Sequence, residues 1–265
     1  MKILVVGASS FLGAPLAEAL AGDGHHVSIL HPDARRAAPE WRERFECHFG
    51  SCRNGHVLHD ALDGVERVVA CIASRDHEEE LTETRDLARA MARHPGVALV
   101  KLTTPAPLRN APWPPMRVRR HADQLLDGAE VPSCLAEVGW IGEAMRHLLF
   151  GTRLWLPHPR SCPGRIRWQS RRMAVQRLAD LVQSPHVPRR ASIVGDDHAS
   201  LAEISSRLIS RQPQLERIFV PGRLFRWMHH VAPRPSVVGL RLVHGARESE
   251  PPPTQRSRED ALQDW

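Results

Sequence analysis

Hydrophobic residues in the first hundred positions follow two different periods. Continuous apolar runs predict buried strands, and residues spaced three or four apart predict helices between them. The predicted strands are Lys2–Val6, Val27–Leu30, Phe45–Phe49, Val65–Ala73 and Val97–Leu102. The predicted helices begin near Leu12 and at Leu81. Strands that alternate with helices at this spacing predict an α/β protein with a Rossmann-like, doubly wound parallel sheet.

The pattern beyond residue 140 is less regular. Residues 151–172 hold prolines among many arginines, which predicts an irregular loop. A helical stripe from Val175 to Val182, a short strand at Ala191–Val194 and a capping-box pair, Ser200 and Glu203, follow. We therefore expect a Rossmann-like domain over residues 1–140, a small C-terminal α/β lobe facing the substrate over 141–247, and a mobile tail over 248–265.

Composition excludes several classes of protein. Apolar residues make up 42% and charged residues 25% of the chain, which argues against a disordered or fibrous protein. The net charge is +6, and arginine supplies almost all of the basic residues because Lys2 and Lys101 are the only lysines. The chain contains no tyrosine, so a mechanism that needs a phenol as its proton donor is excluded.

Cysteine usage and hydropathy predict a cytoplasmic protein. The chain has 5 cysteines at irregular spacings and no CxxC pair, which favours free thiols over a disulfide framework. It has no apolar run of about 18 residues, so we expect no membrane span. Gly7, Pro15 and Glu18 interrupt the N-terminal apolar run and argue against a signal peptide. The histidine pairs lack companion ligands, so we predict no metal site.

The segment between the first strand and the first helix, GASSFLG at residues 7–13, carries the strongest local signal. Glycines there allow a tight turn and close packing of the helix on the strand, and N–H groups at the start of a helix bind anions. The turn therefore predicts a site for a nucleotide pyrophosphate. Its predicted residues are Gly7, Ser9, Ser10, Phe11, Leu12 and Gly13. A plain turn of small residues is the alternative, and the position within a βαβ pattern favours nucleotide binding.

This turn resembles the GAxGFxG turn of the extended and atypical short-chain dehydrogenase/reductase (SDR) superfamily, which includes NAD-dependent epimerase/dehydratases and NmrA-like proteins. Ser10 stands where that family usually has its middle glycine. Residues 61–69 (ALDGVERVV) are similar to the segment leading into the family's fourth strand, and residues 122–126 (ADQLL) resemble its AExxL helix. Residues 139–142 (GWIG) are similar to the segment after its sixth strand, and the resemblance is clearest in residues 1–75.

The resemblance implies an NAD(P)(H) cofactor. It places further contacts at the ends of the second and fourth strands: His31, Arg35, Arg36, Cys71, Ile72 and Ala73. The residue after the second strand normally selects NAD with a carboxylate or NADP with an arginine. His31 stands there with two arginines nearby, so we favour NADP over NAD, with solvated loop arginines as an open alternative. Ser51 replaces the aspartate that commonly contacts adenine in this family.

The residues for the family's chemistry are missing. SDR enzymes use a tyrosine as acid/base and a lysine four residues later, and counting back from Ala122 places Pro115 and Arg119 at these positions. Proline has no proton to give, and arginine stays charged. The remaining candidates are Thr103 or Thr104, which could polarise a substrate oxygen, and His121, which could act as the acid. A surface histidine on a helix is the alternative for His121.

Three functions follow from the sequence. The first is an NAD(P)(H)-binding SDR-like oxidoreductase or isomerase that acts on a small organic substrate through a non-standard acid/base, as retention of a second lobe suggests. The second, favoured by loss of the dyad, is a non-catalytic dinucleotide-binding redox sensor or accessory protein with a protein partner. The third is an RNA-binding protein, since a basic stretch surrounds Trp168 with Arg160, Arg165, Arg167, Arg171 and Arg172.

Overall fold

The structure is a computed structural model that describes residues 1–34, 39–72, 77–103, 114–129, 131–143, 155–159, 165–200, 203, 206 and 216–220. Its helices are α1 (Gly13–Gly22), α2 (Pro39–Arg44), α3 (Gly55–Leu62), α4 (His77–Met91), α5 (Pro114–Asp127) and α6 (Arg171–Gln183). Its strands are β1 (Lys2–Val6), β2 (His26–His31), β3 (Glu46–Phe49), β4 (Arg67–Ala70), β5 (Ala98–Thr103), β6 (Ser133–Val138), β7 (Trp140–Ile141), β8 (Trp155–Pro159), β9 (Arg165–Gln169), β10 (Arg190–Ile193), β11 (Asp197–Ser200) and β12 (Glu216–Val220).

The chain divides into two compact units. The first comprises Met1–Val138 with Val175–Ile193, and the second comprises Gly139–Ala174 with Val194–Trp265. The second unit contains a three-stranded sheet in the order β11-β9-β7 and the parallel pair β8 and β12. Most of α6 and all of β10 therefore belong to the first unit, although they come late in the sequence.

The first unit is built on a seven-stranded sheet in the order β10-β6-β5-β4-β1-β2-β3. Every pairing in it is parallel. Ile3, Leu4 and Val5 are consecutive and fully buried, because side chains on both faces of β1 lie under helices. The predicted Rossmann-like fold is thereby confirmed. The strand order reverses between β1 and β4, and ligands of such sheets bind outside the carboxyl ends of the strands at that point.

The sequence-based prediction of an irregular loop over residues 151–172 was wrong for β8 and β9. In β9, Arg165, Arg167 and Gln169 alternate with Ile166 and Trp168, a period of two that the surrounding prolines and arginines obscured. The prolines of β8 lie in a sheet that has two strands among the described residues. Both strands of such a pair are edge strands, and edge strands tolerate proline although it has no N–H to donate.

Other boundaries differ by a few residues. The fourth strand is shorter than expected, because it ends at Ala70 rather than at Ala73. Helices α2 and α3 were not expected from the sequence. The capping box does form, since the Ser200 hydroxyl accepts a hydrogen bond from the Glu203 N–H at 3.2 Å. The helix expected after it lies mostly outside the described residues, and the predicted tail from residue 248 lies wholly outside them.

None of the described helices combines the length and the apolar character that crossing a membrane requires.

Candidate functional site

A cleft of about 250 Å³ lies in the first unit, at the carboxyl ends of the central strands. The segments that follow β1, β2, β3 and β4 form most of its wall, and helix α4 completes it. Its lining residues are Val6, Gly7, Ser9, Ser10, Leu30, Pro32, Gly50, Ser51, Cys52, Cys71, Ile72, Glu79 and Glu83. The cleft therefore occupies the switch point where parallel α/β sheets bind their ligands.

Close packing at the turn after β1 requires glycine at two positions. Gly7 has a φ of 82°, a backbone conformation that other residues rarely adopt, and a side chain there would come within 2.8 Å of the Cys71 carbonyl oxygen. A side chain at Gly13 would collide with the carbonyl oxygen of Gly7. The first turn of α1 thus lies directly against the end of β1, as the Gly7–Gly13 pattern predicts.

The start of α1 offers an N–H group to a ligand. Leu12 is the N-cap residue and its side chain makes no capping hydrogen bond. The Gly13 N–H donates to the Ser10 hydroxyl oxygen at 3.1 Å, and the Ser10 N–H donates to the Gly7 carbonyl at 2.9 Å. Within the described part of the chain, the Leu12 N–H has no such acceptor. An anion in the cleft would satisfy it, and the helix dipole would add to the attraction.

The structure brings together part of the predicted cofactor set. Gly7, Ser9, Ser10, Cys71 and Ile72 all line the cleft. Three further residues belong to the same turn without lining it: Phe11, Leu12 and Gly13. Of the remaining four predicted residues, three lie outside the described part of the chain: Arg35, Arg36 and Ala73. The fourth is His31.

His31 points away from the cleft that its neighbours line. Only 2% of its surface is exposed, and its Nδ1 accepts a hydrogen bond from the Asp33 N–H at 3.1 Å. Its ring packs edge-on against Trp41, with 5.7 Å between the ring centroids. In this conformation His31 supports the loop after β2 and does not line the cleft.

Two glutamates line the cleft that were not predicted from the sequence. Glu79 and Glu83 are one turn apart on α4 and both line the cleft. Burial raises the pKa of Glu83, and the negative charge of Glu79 raises it further. The i, i+4 spacing was visible in the sequence, but a run of acidic residues on a helix usually faces solvent. Only the packing of α4 against the strand ends could reveal their position.

The cysteines at the cleft are structural in character. Burial raises the pKa of Cys52 to about 12, with a smaller contribution from the charge of Glu83. Burial likewise raises the pKa of Cys71 to about 12. Both thiols stay protonated near neutral pH and therefore make poor nucleophiles or metal ligands. Nowhere in the described residues do three or more metal-ligating side chains converge.

Neither of the two predicted catalytic residues in the described part of the chain is found in the lining of the cleft. Thr103 ends β5, is only 4% exposed, and donates its hydroxyl proton to Asp123 at 2.7 Å. His121 is exposed on α5, and neither residue lines the cleft. Thr104 lies outside the described residues.

A buried charge network occupies the region between β5, α4 and α5. The Lys101 ammonium lies 3.1 Å from Asp123 and 3.5 Å from Glu80, and all three residues are 1% exposed. Arg119 pairs with both carboxylate oxygens of Glu80. Burial alone would raise the pKa of Glu80, but the charges and hydrogen bonds of Arg119 and Lys101 outweigh burial and lower it. The side chains of Arg119 and Lys101 thus form ion pairs with carboxylates on α4 and α5.

A larger cavity of about 550 Å³ opens at the opposite edge of the sheet. Arg67, Ala98 and Ser133, which begin β4, β5 and β6, contribute to its lining. It lacks a glycine turn and a helix N-terminus, and parallel sheets bind ligands at the other edge. We therefore place the functional site at the smaller cleft.

The fold defines a Rossmann-type α/β protein, and the cleft at the β1–α1 turn is its candidate ligand site. Residues 3–99 match the sequence model of the NAD dependent epimerase/dehydratase family, which confirms the resemblance over this part of the chain. The match contains β1 through the start of β5, which includes every residue that lines the cleft.

Solved structures share this fold at low sequence identity. A nucleoside-diphosphate-sugar epimerase from Staphylococcus aureus is 18% identical, with 100% of this chain and 96% of that chain covered and a TM-score of 0.74. An NADPH-dependent quinone oxidoreductase from Escherichia coli, solved with NADPH, is 15% identical, with 97% and 98% covered and a TM-score of 0.73. A dTDP-glucose 4,6-dehydratase from Bacillus anthracis, solved with NAD, is 14% identical, with 83% and 85% covered and a TM-score of 0.67. The sequence has no significant match among curated proteins.

Proposed function

We propose that this protein binds a nicotinamide dinucleotide in the cleft at the carboxyl ends of β1 to β4. The observation that carries the proposal is the Gly7–Gly13 turn, which presses α1 against β1 and leaves the Leu12 N–H open at the helix start. That arrangement suits a pyrophosphate. The family match over residues 3–99, and two solved structures of this fold that hold NAD and NADPH, support the same cofactor class.

We further propose that NADP binds more tightly than NAD. In the sequence, Arg35 and Arg36 come shortly after β2, where Rossmann proteins read the 2′ position of the ribose, and the first acidic residue after His31 is Asp33. His31 contributes through the loop it supports rather than through direct contact. The preference is measured as the ratio of dissociation constants for NADPH and NADH. Equal constants, or tighter NADH binding, would contradict it.

The bound coenzyme would supply hydride transfer, and the chain's own residues decide whether that chemistry is used. The missing tyrosine removes the usual proton donor. Lys101, Arg119 and Thr103 are engaged with the buried carboxylates of Glu80 and Asp123. These contacts favour a non-catalytic role, in which the protein senses redox state or supports a protein partner.

An oxidoreductase or isomerase acting on a small organic substrate is the second candidate. It would depend on Thr104 or His121 as the remaining groups able to donate a proton or hydrogen bond. Two observations argue against the third candidate, which is RNA binding through the stretch around Trp168. Trp168 is 2% exposed and so presents no stacking face, and the Arg167 guanidinium donates to the Gly195 carbonyl oxygen at 3.2 Å.

Coenzyme binding and turnover separate these candidates. The full chain is first titrated with NADPH and NADH, and NADPH oxidation is then followed with quinones, simple carbonyl compounds and nucleotide sugars. Binding without turnover supports the sensor or accessory role. Turnover that Thr104→Ala or His121→Asn abolishes, with coenzyme affinity retained, supports the enzyme. Absence of coenzyme binding rejects both.

A further inference from the structure

Glu83 is an acceptor without a partner on the wall of the cleft. It lies on α4, and its side chain is only partly exposed. No side chain or backbone group in the described part of the chain donates a hydrogen bond to it or pairs with it within 4.0 Å. Burial and the nearby Glu79 raise its pKa, and the charge of Arg53 offsets this only in part. Its carboxylate oxygens are not sealed from the cleft, so a donor group on a ligand bound there can reach them.

The surroundings of Glu83 suit a flat heteroaromatic ring. Leu30, Pro32, Cys52 and Ile72 contribute apolar surface to the same cleft, at the ends of β2, β3 and β4. In a Rossmann fold the 2′ position of the adenosine ribose is read just after β2, so the adenine lies on the β2 and β3 side of the pyrophosphate. Glu83 and the apolar residues therefore line the part of the cleft where the base belongs.

Adenine supplies the donor that this carboxylate lacks. Its 6-amino group carries two N–H bonds, and Ser51 has replaced the residue expected to contact adenine after β3. We propose that Glu83 accepts a hydrogen bond from the 6-amino group of adenine and makes the cleft selective for an adenine dinucleotide over its hypoxanthine analogue. This inference rests on the proposed function and assigns base recognition to helix α4 rather than to the loop after β3.

Glu79 provides a matched control on the same helix. It lines the same cleft one turn earlier and carries the same charge, but it has an interaction of its own within the protein. Neutralising either glutamate changes the charge of the cleft equally. Only the loss of the Glu83 carboxylate removes the proposed acceptor, so a general electrostatic effect and a specific hydrogen bond give different results.

The test compares dissociation constants, measured by calorimetry on the full chain, for the tighter-binding reduced coenzyme and its hypoxanthine analogue. In the analogue a carbonyl oxygen replaces the 6-amino group and would face the Glu83 carboxylate. The wild type should bind the adenine form at least about tenfold more tightly, which is the worth of one charge-assisted hydrogen bond. Glu83→Gln should reduce the ratio to below about threefold, because an amide can donate to the carbonyl as well as accept from an amine. Glu79→Gln should keep the wild-type ratio.

The possible outcomes distinguish failure of the Glu83 assignment from failure of the proposed function. Equal affinities in the wild type, an unchanged ratio in Glu83→Gln, or an equal fall in Glu79→Gln would overturn the assignment while leaving dinucleotide binding intact. Absence of binding by every dinucleotide would overturn the proposed function, and the assignment with it. Thermal unfolding of each variant establishes that a changed ratio does not reflect a damaged fold.

Discussion

Ser10 alters what the β1–α1 turn offers to an anion. Its hydroxyl oxygen takes the Gly13 N–H at 3.1 Å, so this donor at the start of α1 is already used inside the protein. Its side chain also lines the cleft, where a middle glycine would leave room for a phosphate to approach the backbone. We therefore expect this departure from the family pattern to weaken pyrophosphate binding at the turn without abolishing it.

Replacing Ser10 by glycine should strengthen coenzyme binding. The change removes one of two acceptors of the Gly13 N–H, the other being the Ser10 carbonyl oxygen at 3.2 Å, and lets the pyrophosphate come closer. One added hydrogen bond corresponds to roughly a two- to tenfold lower dissociation constant. Calorimetric titration of Ser10→Gly and of the wild type with the same coenzyme measures the change in dissociation constant. Ser51→Gly is the control, because Ser51 lines the cleft but lies outside the turn. A weaker complex in Ser10→Gly would show that the hydroxyl itself binds the phosphates.

The two buried thiols at the cleft should resist alkylation. Burial raises the pKa of both Cys52 and Cys71 to about 12, so almost no thiolate exists at pH 8 in the folded protein. We expect iodoacetamide to leave both residues unmodified in the native state and to modify both after denaturation, as measured by peptide mass spectrometry. Cys47, which is more exposed, serves as the internal comparison. Rapid native labelling of Cys71 would contradict the geometry at the end of β4.

Among the elements, β5 differs from the other central strands because it carries a charge inward. Lys101 follows two fully buried residues, Leu99 and Val100, and finds its partners on α4 and α5. Among the described residues, the network pairs Lys101 and Arg119 with the carboxylates of Glu80 and Asp123. Removing one partner from such a network leaves an uncompensated buried charge.

Lys101 should therefore matter far more to stability than the chain's other lysine. Lys101→Met leaves the buried carboxylates short of a cation and should lower the free energy of unfolding by about 3 to 5 kcal/mol. Lys2→Met removes a partly exposed lysine that lies 3.7 Å from Glu46 and should cost less than about 1 kcal/mol. Urea unfolding measures both variants, and similar losses in the two would show that the buried network contributes little.

The same network predicts an acid-dependent loss of stability. The pKa of Glu80 lies below its ordinary value of 4.5 in the folded protein, so its contribution to stability is complete above that value. The contribution is lost as the pH falls through the lowered folded-state pKa. Below pH 4.5 the unfolding free energy of the wild type should therefore fall more steeply than that of Glu80→Gln. Parallel slopes in urea unfolding at several acidic pH values would contradict the assignment.

The central elements could be predicted because their signals are local. The unbroken apolar run Ile3–Val6 ends at Gly7, and the sheet contains the predicted strand Lys2–Val6 with the same bounds. Helix α3 could not be predicted, because its apolar residues span only two turns between polar ones. The burial of Lys101 was equally hidden, since its partners Glu80 and Asp123 lie 21 and 22 positions away along the chain.

At the scale of the molecule, the order of the strands explains the position of the site. Pairing β1 with β2 on one side and β4 on the other brings Gly7, Pro32 and Cys71 to one cleft, although they are far apart in sequence. The glycine turn was predictable from the sequence alone. The acidic wall formed by α4 was not, because it depends on how the helix packs against the sheet.

Coenzyme binding by Ser9 variants tests the central claim most directly. Ser9 is exposed and lines the cleft, so Ser9→Asp adds a negative charge beside the expected pyrophosphate without a clash, and Ser9→Asn matches its shape without the charge. Calorimetry should show binding of NADPH or NADH by wild type and Ser9→Asn, and at least about tenfold weaker binding by Ser9→Asp. Equal affinity in all three proteins, or no binding by the wild type at millimolar coenzyme, would contradict the account.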